Sequence, residues 1–191
     1  TLEAFNYPLY GSNSIKGTSI QNGKPDAFDV EQGALNNCWC CCGMMMLGHC
    51  YPSSIEKAIT KLPGKNNLYQ ITLHGVGQSR GSEQSVVVDN KFWAVKEKNV
   101  WKPFYAGCPT GKEEKALWPM LLEKATAILM SRYKKEEPSY HYLDPRDSPK
   151  GGNSTGVSRD MVRYVTGKNK CDVRSLLGSV DFCLLWKACQ T

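Results

Sequence analysis

The stretch that decides the fold is QGALNNCW, residues 32–39. It follows a polar approach and opens a segment, residues 38–46, that contains no charged side chain. This change in composition predicts a loop that turns sharply into a buried helix, with Asn37 at or next to the N-cap and Cys38 in the first turn. Because the segment is apolar all round, we expect this helix to be central rather than on the surface.

The predicted position of Cys38 favours a nucleophilic thiolate. Unpaired backbone N–H groups and the dipole at a helix N-terminus stabilise negative charge, so they make a thiol in the first turn more reactive. Gln32 lies six residues upstream and can return its side-chain amide to the same place. Together with the backbone N–H of Cys38, that amide could bind the oxyanion that forms when a thiolate attacks a carbonyl.

The pattern Gln-Gly-x-x-x-x-Cys-Trp resembles papain-like cysteine proteases, and the form with Ala-Leu in the middle resembles the calpain family in particular. Four later segments are similar to the calpain protease core, and they follow one another in the same order. The similar segments are residues 86–90, 117–125, 151–155 and 164–167. The similarity extends over roughly residues 26–167, and more weakly over the last predicted helix.

The resemblance implies an α+β fold, namely a papain-like cysteine protease lobe. In it a central buried helix headed by Cys38 packs with a small antiparallel sheet and flanking helices. Apolar periodicity and turn residues predict the same elements, with Ser53 and Glu56 as a capping box of the second helix. The expected helices are about 38–47, 52–62, 117–133, 158–165 and 179–189, and the expected strands are about 68–74, 84–89 and 100–106.

The resemblance divides the chain into two predicted parts. Residues 1–170 are expected to be the Cys-bearing first subdomain of a calpain-like core, and residues 171–191 the start of the second subdomain. The family's catalytic His and Asn lie on the second subdomain, beyond the point where this sequence ends. The chain also begins without a start methionine or signal sequence, so we interpret it as trimmed. The fragment alone is expected to be inactive, because its nucleophile lacks a base and an orienting group.

The three histidines of the chain are not expected to replace that base. His49 follows Cys38 by eleven positions, which places it about 16 Å away along a helix. His74 ends a predicted strand, His141 lies in a predicted loop, and neither carries the family's motif around it. An ordinary surface or loop histidine is the better interpretation of each.

Two further sites are implied by the resemblance alone. Family cores bind calcium in the first subdomain, and Asp29 occupies the first ligand position. A family glutamate ligand is replaced by Ala116, which should weaken the site, so Asp29 has either a calcium role or only a structural one. Gly151 and Gly152 match the position where papain-like enzymes bind the substrate backbone, where glycine permits close approach. The alternative for this pair is a flexible loop.

Composition restricts the partners and the compartment. The net charge of +6 comes with interleaved acidic residues, so we expect no nucleic-acid binding, and no apolar run is long enough for a membrane helix. Nine cysteines without a framework of disulfide spacings favour a reducing, cytoplasmic location. Cys38 and Cys41 form a single zinc half-site without a second one. The predicted thiol chemistry requires no cofactor, and its expected partners are protein substrates and the second subdomain.

Three interpretations of function remain open on the sequence. The first is a calpain-like intracellular endopeptidase with Cys38 as nucleophile and Gln32 as oxyanion donor. The second is a catalytically inactive calpain-like binding or scaffold module, favoured by Ala116 and by Asn36-Asn37 where the family usually has Gly-Asp. The third, a metal-binding redox protein, depends on the cysteine-rich helix alone.

Overall fold

The structure is a computed structural model that describes residues 24–64, 67–77, 82–92, 94–97, 100–107, 116–144 and 157–168. These segments form an α+β fold with four α-helices and two small antiparallel sheets, which confirms the predicted fold class. Two short 3₁₀ helices accompany them, at Ala27–Asp29 and Tyr140–Leu143. The α-helices are α1 (Cys38–Cys50), α2 (Pro52–Ala58), α3 (Trp118–Lys134) and α4 (Ser158–Thr166). The strands are β1 (Ile59–Lys61), β2 (Leu68–His74), β3 (Glu83–Asp89), β4 (Ala94–Glu97) and β5 (Val100–Pro103).

Helix α1 is buried along most of its length, as its uncharged sequence predicts. It begins at Cys38 but ends at Cys50, so the predicted end at about residue 47 is wrong. A Cβ on Gly48 would lie 2.6 Å from the backbone carbon of Asp26, which shows that this glycine permits close packing. Gly43 likewise allows α4 to pack closely against α1, because a Cβ there would lie 2.5 Å from the Cβ of Met161. The helix is therefore enclosed by neighbours on several sides.

The main sheet has three antiparallel strands in the order β1-β2-β3. Strands β2 and β3 pair along their whole length, from Leu68 with Asp89 to His74 with Glu83. The predicted third strand at 100–106 is wrong for this sheet, because β5 pairs with β4 in a separate two-stranded sheet. The third strand is instead β1, which the sequence interpretation had included in the second helix.

Helix α2 is shorter than predicted. It begins at Pro52 with Tyr51 as N-cap residue and gives way to β1 at Ile59, where β-branched side chains favour extended backbone. The predicted capping box is also wrong, because Ser53 already lies inside the first turn. Ile55 of this helix is fully buried and anchors it to the core.

Helices α3 and α4 confirm their predictions closely. In α3, Pro119 lies in the first turn, where the missing backbone N–H costs no helical hydrogen bond. Its side chains are buried almost continuously as far as Leu129, and two of them are charged, Glu123 and Lys124. Helix α4 ends at Gly167 with a φ of 68°, the left-handed conformation that glycine adopts without strain.

Several predictions fall outside the described residues. They concern Gly151 and Gly152, the last helix at 179–189 and the second-subdomain segment 171–191, and all of them stay predictions. Among the helices that the structure describes, none combines the length and the hydropathy that crossing a lipid bilayer requires.

Candidate active site

Cys38 is exposed between two buried neighbours in the chain. It is the first residue of α1, and the structure places it at the surface with a free thiol. The residues on either side are buried, Asn37 with 0% and Trp39 with 7% of its surface exposed. The Cys38 thiol is therefore presented to solvent while both neighbours fix the backbone that carries it.

The segment 140–144 holds this turn from one side. The indole N–H of Trp39 donates to the carbonyl oxygen of Leu143 at 3.1 Å, and the backbone N–H of Asn36 donates to Oδ2 of Asp144 at 3.1 Å. Both acceptors belong to residues that are 1% exposed or less. Because these contacts join residues more than 100 positions apart, they depend on the tertiary fold.

Helix α3 holds the same turn from another side. The side-chain amide of Asn37 donates to Oε1 of Glu123 at 2.6 Å, and both side chains are buried. The backbone N–H of Ala106 donates to Oε2 of the same carboxylate at 3.1 Å. Burial raises the pKa of Glu123 to about 7, and the hydrogen bonds from Asn37 and Ala106 oppose that rise.

Asn37 occupies the predicted N-cap position, which confirms where the helix starts. Its backbone oxygen accepts from the N–H groups of Cys40 at 2.8 Å and Cys41 at 3.2 Å, but its side chain makes no capping bond. The side chain is directed to Glu123 instead. In a helix the first N–H groups have no intrahelical partner, so the N-terminus beside Cys38 favours a negative charge.

Gln32 lies at the other end of the loop and is exposed. Its Nε2 donates to the carbonyl oxygen of Leu35 at 2.7 Å, so the amide is folded back over its own loop. An amide nitrogen carries two N–H donors, and this bond uses one of them. The structure thus places Gln32 and Cys38 at the two ends of one short loop, and their catalytic roles stay predictions.

The segment 104–107 supports the Gln32 end of the loop. The N–H of Ala34 donates to the carbonyl of Phe104 at 2.8 Å, and Glu31 and Gly107 exchange two backbone hydrogen bonds. A Cβ on Gly33 would lie 2.2 Å from the carbonyl oxygen of Tyr105. The glycine that follows Gln32 is therefore required by the close approach of two backbones.

The other described cysteines differ from Cys38 in environment. Cys40 and Cys41 are buried, Cys42 and Cys50 are partly exposed, and none of the four is in a disulfide. Burial, with a smaller contribution from the charge of Glu123, raises the pKa of Cys40 well above its ordinary value. A buried neutral thiol behaves as a small hydrophobic group and is a poor nucleophile.

Asp29 is a buried structural acceptor. Its Oδ2 accepts from the indole N–H of Trp118 at 2.9 Å and from the backbone N–H of Asp26 at 2.9 Å. Ala116, at the expected glutamate position, is buried and offers no side-chain oxygen. The described residues include no group of three or more His, Cys, Asp or Glu side chains that could hold a metal ion. The calcium role of Asp29 stays a prediction.

The three histidines have different surroundings. His49 lies exposed in the last turn of α1, and the ring of His74 lies against Gly167. Nδ1 of His141 lies 2.7 Å from the hydroxyl of Ser139, and its ring contacts that of Tyr142.

The sequence interpretation missed Glu123, whose carboxylate accepts hydrogen bonds from Asn37 and Ala106. A signal was present, because Glu123 and Lys124 are the only charges in the apolar run 116–130. A charged side chain on a helix that is otherwise apolar must have a buried partner. The sequence does not reveal that this partner is Asn37.

An exposed thiol at the head of a buried helix, in a fold that also has a small antiparallel sheet, is compatible with the Cys-bearing lobe of a papain-like cysteine protease. The family model described as calpain family cysteine protease matches residues 13–142, more than half of the chain. The chain belongs to the calpain family of cysteine proteases, which confirms the resemblance and supports a cysteine protease function acting on proteins. No curated protein matches the chain significantly.

Proposed function

We propose that this chain is the nucleophile-bearing subdomain of a calpain-like cytoplasmic endopeptidase, and that Cys38 is its nucleophile. The observation that carries the proposal is the exposure of Cys38 at the head of α1 between two buried neighbours. A nucleophile must reach the substrate while its own backbone stays fixed, and this arrangement meets both requirements. None of the five described cysteines is in a disulfide, which supports a reducing compartment.

In the proposed reaction the Cys38 thiolate attacks the carbonyl carbon of a peptide bond and forms a C–S bond. The carbonyl oxygen becomes an oxyanion, which the backbone N–H of Cys38 and the second amide N–H of Gln32 stabilise. The C–N bond then breaks, the amine leaves with a proton from a general acid, and water hydrolyses the thioester. Gly151 and Gly152 are proposed to bind the substrate backbone as an added strand.

We propose that the general acid–base group and the residue that orients it belong to the second subdomain of the core. The contacts of two histidines support this division, because the ring of His74 lies against Gly167 and Nδ1 of His141 lies 2.7 Å from the hydroxyl of Ser139. The 191-residue chain alone should then cleave peptides very slowly, since an unactivated thiol lacks its base.

The test uses the protein extended through the second subdomain and a fluorogenic peptide. Replacing Cys38 by alanine should abolish cleavage, and Gln32→Ala should lower kcat by roughly 10²- to 10³-fold, as removal of an oxyanion donor does. Cys42→Ala is a matched control, because this cysteine lies one turn further along the same helix and should tolerate the change. Cleavage by Cys38→Ala at the unmodified rate would remove Cys38 from the mechanism.

A second candidate is a catalytically inactive calpain-like binding module. The bond from Gln32 to Leu35 favours it, because one donor of the proposed oxyanion site is already engaged within the loop. The same extended protein separates the two candidates. If it captures peptides without cleaving them, and Cys38→Ala captures them equally well, the chain is a binding module.

A further inference from the structure

We infer that Glu123 is a positioning residue that fixes the spacing between Cys38 and Gln32. The inference rests on the proposed function of these two residues. Glu123 contacts neither of them directly. It acts through Asn37, which precedes Cys38, and through the backbone of Ala106.

One carboxylate joins supports for both ends of the loop. Its Oε1 accepts from the Asn37 amide at 2.6 Å, which fixes the residue directly before Cys38. Its Oε2 accepts from the Ala106 N–H at 3.1 Å. Ala106 belongs to the segment 104–107, on which residues 31–34 lie through three backbone hydrogen bonds. Movement of this carboxylate would therefore displace the nucleophile and the proposed oxyanion donor relative to each other.

A glutamate carboxylate suits the two hydrogen-bond donors at this position. Both partners are N–H donors, and an ionised carboxylate presents only acceptors. A glutamine could accept from one donor but would direct its own NH₂ group at the other. Burying a carboxylate is costly, and Glu123 is 1% exposed in a helix whose other buried residues are mostly apolar. An apolar residue would serve packing alone at lower cost.

Two side chains near the carboxylate also carry protons that can titrate. They are the Cys40 thiol of α1 and the Tyr140 hydroxyl of the 3₁₀ helix, and burial raises the pKa of both well above their ordinary values. Both groups stay neutral near neutral pH. The Glu123 carboxylate is therefore held by two neutral N–H donors, those of Asn37 and Ala106. Neither of these contacts brings a positive charge.

The experiment exchanges the donor and the acceptor of the Asn37–Glu123 hydrogen bond in the full chain. Glu123→Gln should misplace the loop, because an NH₂ group faces an N–H group. Asn37→Asp should do so as well, because two carboxylates face each other. In the double variant the introduced glutamine donates to the introduced aspartate and accepts from the Ala106 N–H, so both bonds are restored. The readout is the rate at which iodoacetamide alkylates Cys38 at pH 8, followed by peptide mass mapping.

Each single variant should slow the alkylation of Cys38, and the double variant should recover most of the rate. Couplings within one hydrogen-bond network correspond to roughly twofold to a hundredfold effects, which sets the expected range. Cys38→Ala gives the background. Thr126→Val is the matched control, because Thr126 is buried on the same helix and its hydroxyl bonds to the Leu122 carbonyl. It should lower the melting temperature and leave the alkylation rate unchanged.

Folding of each variant is verified by its thermal transition. If Glu123→Gln does not fold, Asn37→Ala removes the same contact without adding a buried charge, and it should slow alkylation too. The inference is overturned if folded single variants react at the unmodified rate, or if the double variant is as slow as the product of the single effects. These results are independent of peptidase activity. If the extended protein does not cleave peptides but the variants show the expected alkylation rates, the proposed function is contradicted and the role of Glu123 is not.

Discussion

Helix α3 holds two regions of the molecule through two neighbouring buried charges. Glu123 is directed to the loop that carries Cys38, whereas Lys124 is directed to the main sheet. Nζ of Lys124 donates to Oδ1 of Asp89 at 2.5 Å and to the carbonyl of Lys91 at 2.9 Å. The sheet is thus held by an ion pair of opposite charges, and the loop by a carboxylate that accepts from two neutral N–H groups.

With the proposed role of Glu123, this difference assigns stability and reactivity to separate side chains of one helix. Burial lowers the pKa of Lys124, and the hydrogen bond and charge of Asp89 oppose that change. Burial raises the pKa of Glu123 to about 7, and only neutral donors oppose it. Glu123 therefore changes its charge near neutral pH. We expect pH changes in this range to affect the loop that Glu123 holds.

Removal of the Lys124 charge should have the largest effect on stability. Lys124→Met leaves Asp89 without its buried partner, and breaking such a pair costs about 3–5 kcal/mol of unfolding free energy. Urea denaturation measures this loss. In the fraction that remains folded, the alkylation rate of Cys38 should be unchanged, because Lys124 contacts the sheet. A stable variant with an altered Cys38 would contradict the separation of the two regions.

The second prediction concerns pH and Glu123. Below pH 4.5 this carboxyl is protonated in both the folded and the unfolded chain. As the pH rises from 4.5 to 7, the unfolded chain releases the proton while the folded chain retains it, so folding becomes less favourable. The expected loss is about 3 kcal/mol, reached near pH 7 and constant above it. The Glu123→Gln variant should not show this pH-dependent loss of unfolding free energy.

Urea denaturation at pH 4.5 and pH 8 tests the second prediction, because the difference between the unmodified protein and Glu123→Gln isolates this residue from other carboxyl groups. A difference that does not change with pH would show that Glu123 ionises in the folded state as readily as in the unfolded chain. Thr126→Val is the control, because it retains the volume of the side chain. Leu122→Ala would create a cavity and is therefore not suitable.

Much of the scaffold on which these predictions depend could be read from the sequence. The uncharged segment after Asn37 predicts α1, alternation predicts β2 and β3, and Gly167 predicts the end of α4. These features are local, so composition and periodicity report them. The wrong third strand has a different cause, since strand pairing is set by contacts that a local pattern does not contain.

The supports of the candidate site could not be predicted in the same way. Asn37 and Glu123 are 86 positions apart, and Trp39 and Leu143 are 104 positions apart. The sequence indicates that Asn37 suits an N-cap, but a side chain that leaves its own helix for a distant acceptor carries no local signal. What sequence predicts well here is the position of the thiol, and what it misses is what holds the thiol in place.

A substitution at Gly33 tests the loop in the comparison between the loop and the main sheet. Gly33→Ala would place a Cβ 2.2 Å from the carbonyl oxygen of Tyr105, so one backbone must move. We expect a loss of about 1–3 kcal/mol, the usual cost of overpacking. Cys38 alkylation should also slow, because the loop moves as a unit. Gly64→Ala is a contrasting control, since a Cβ there meets no atom within 4 Å and any cost arises from its positive φ.

The smallest effect is expected for calcium. Asp29 resembles Glu123 in being a buried carboxylate that accepts from two N–H groups, here those of Trp118 and Asp26. With Ala116 at the second ligand position, we predict that millimolar calcium leaves the melting temperature of the chain unchanged relative to EDTA. A clear rise with calcium, absent in Asp29→Asn, would show that Asp29 is a metal ligand.

The most direct test of the account is the order in which the thiols react. The folded chain is treated with limiting iodoacetamide, and the modified cysteines are identified by peptide mass mapping. The account predicts that Cys38 is modified well before Cys42 and Cys50, its partly exposed neighbours in α1. Modification of Cys42 or Cys50 as fast as Cys38 would contradict the claim that the fold presents Cys38 as its nucleophile.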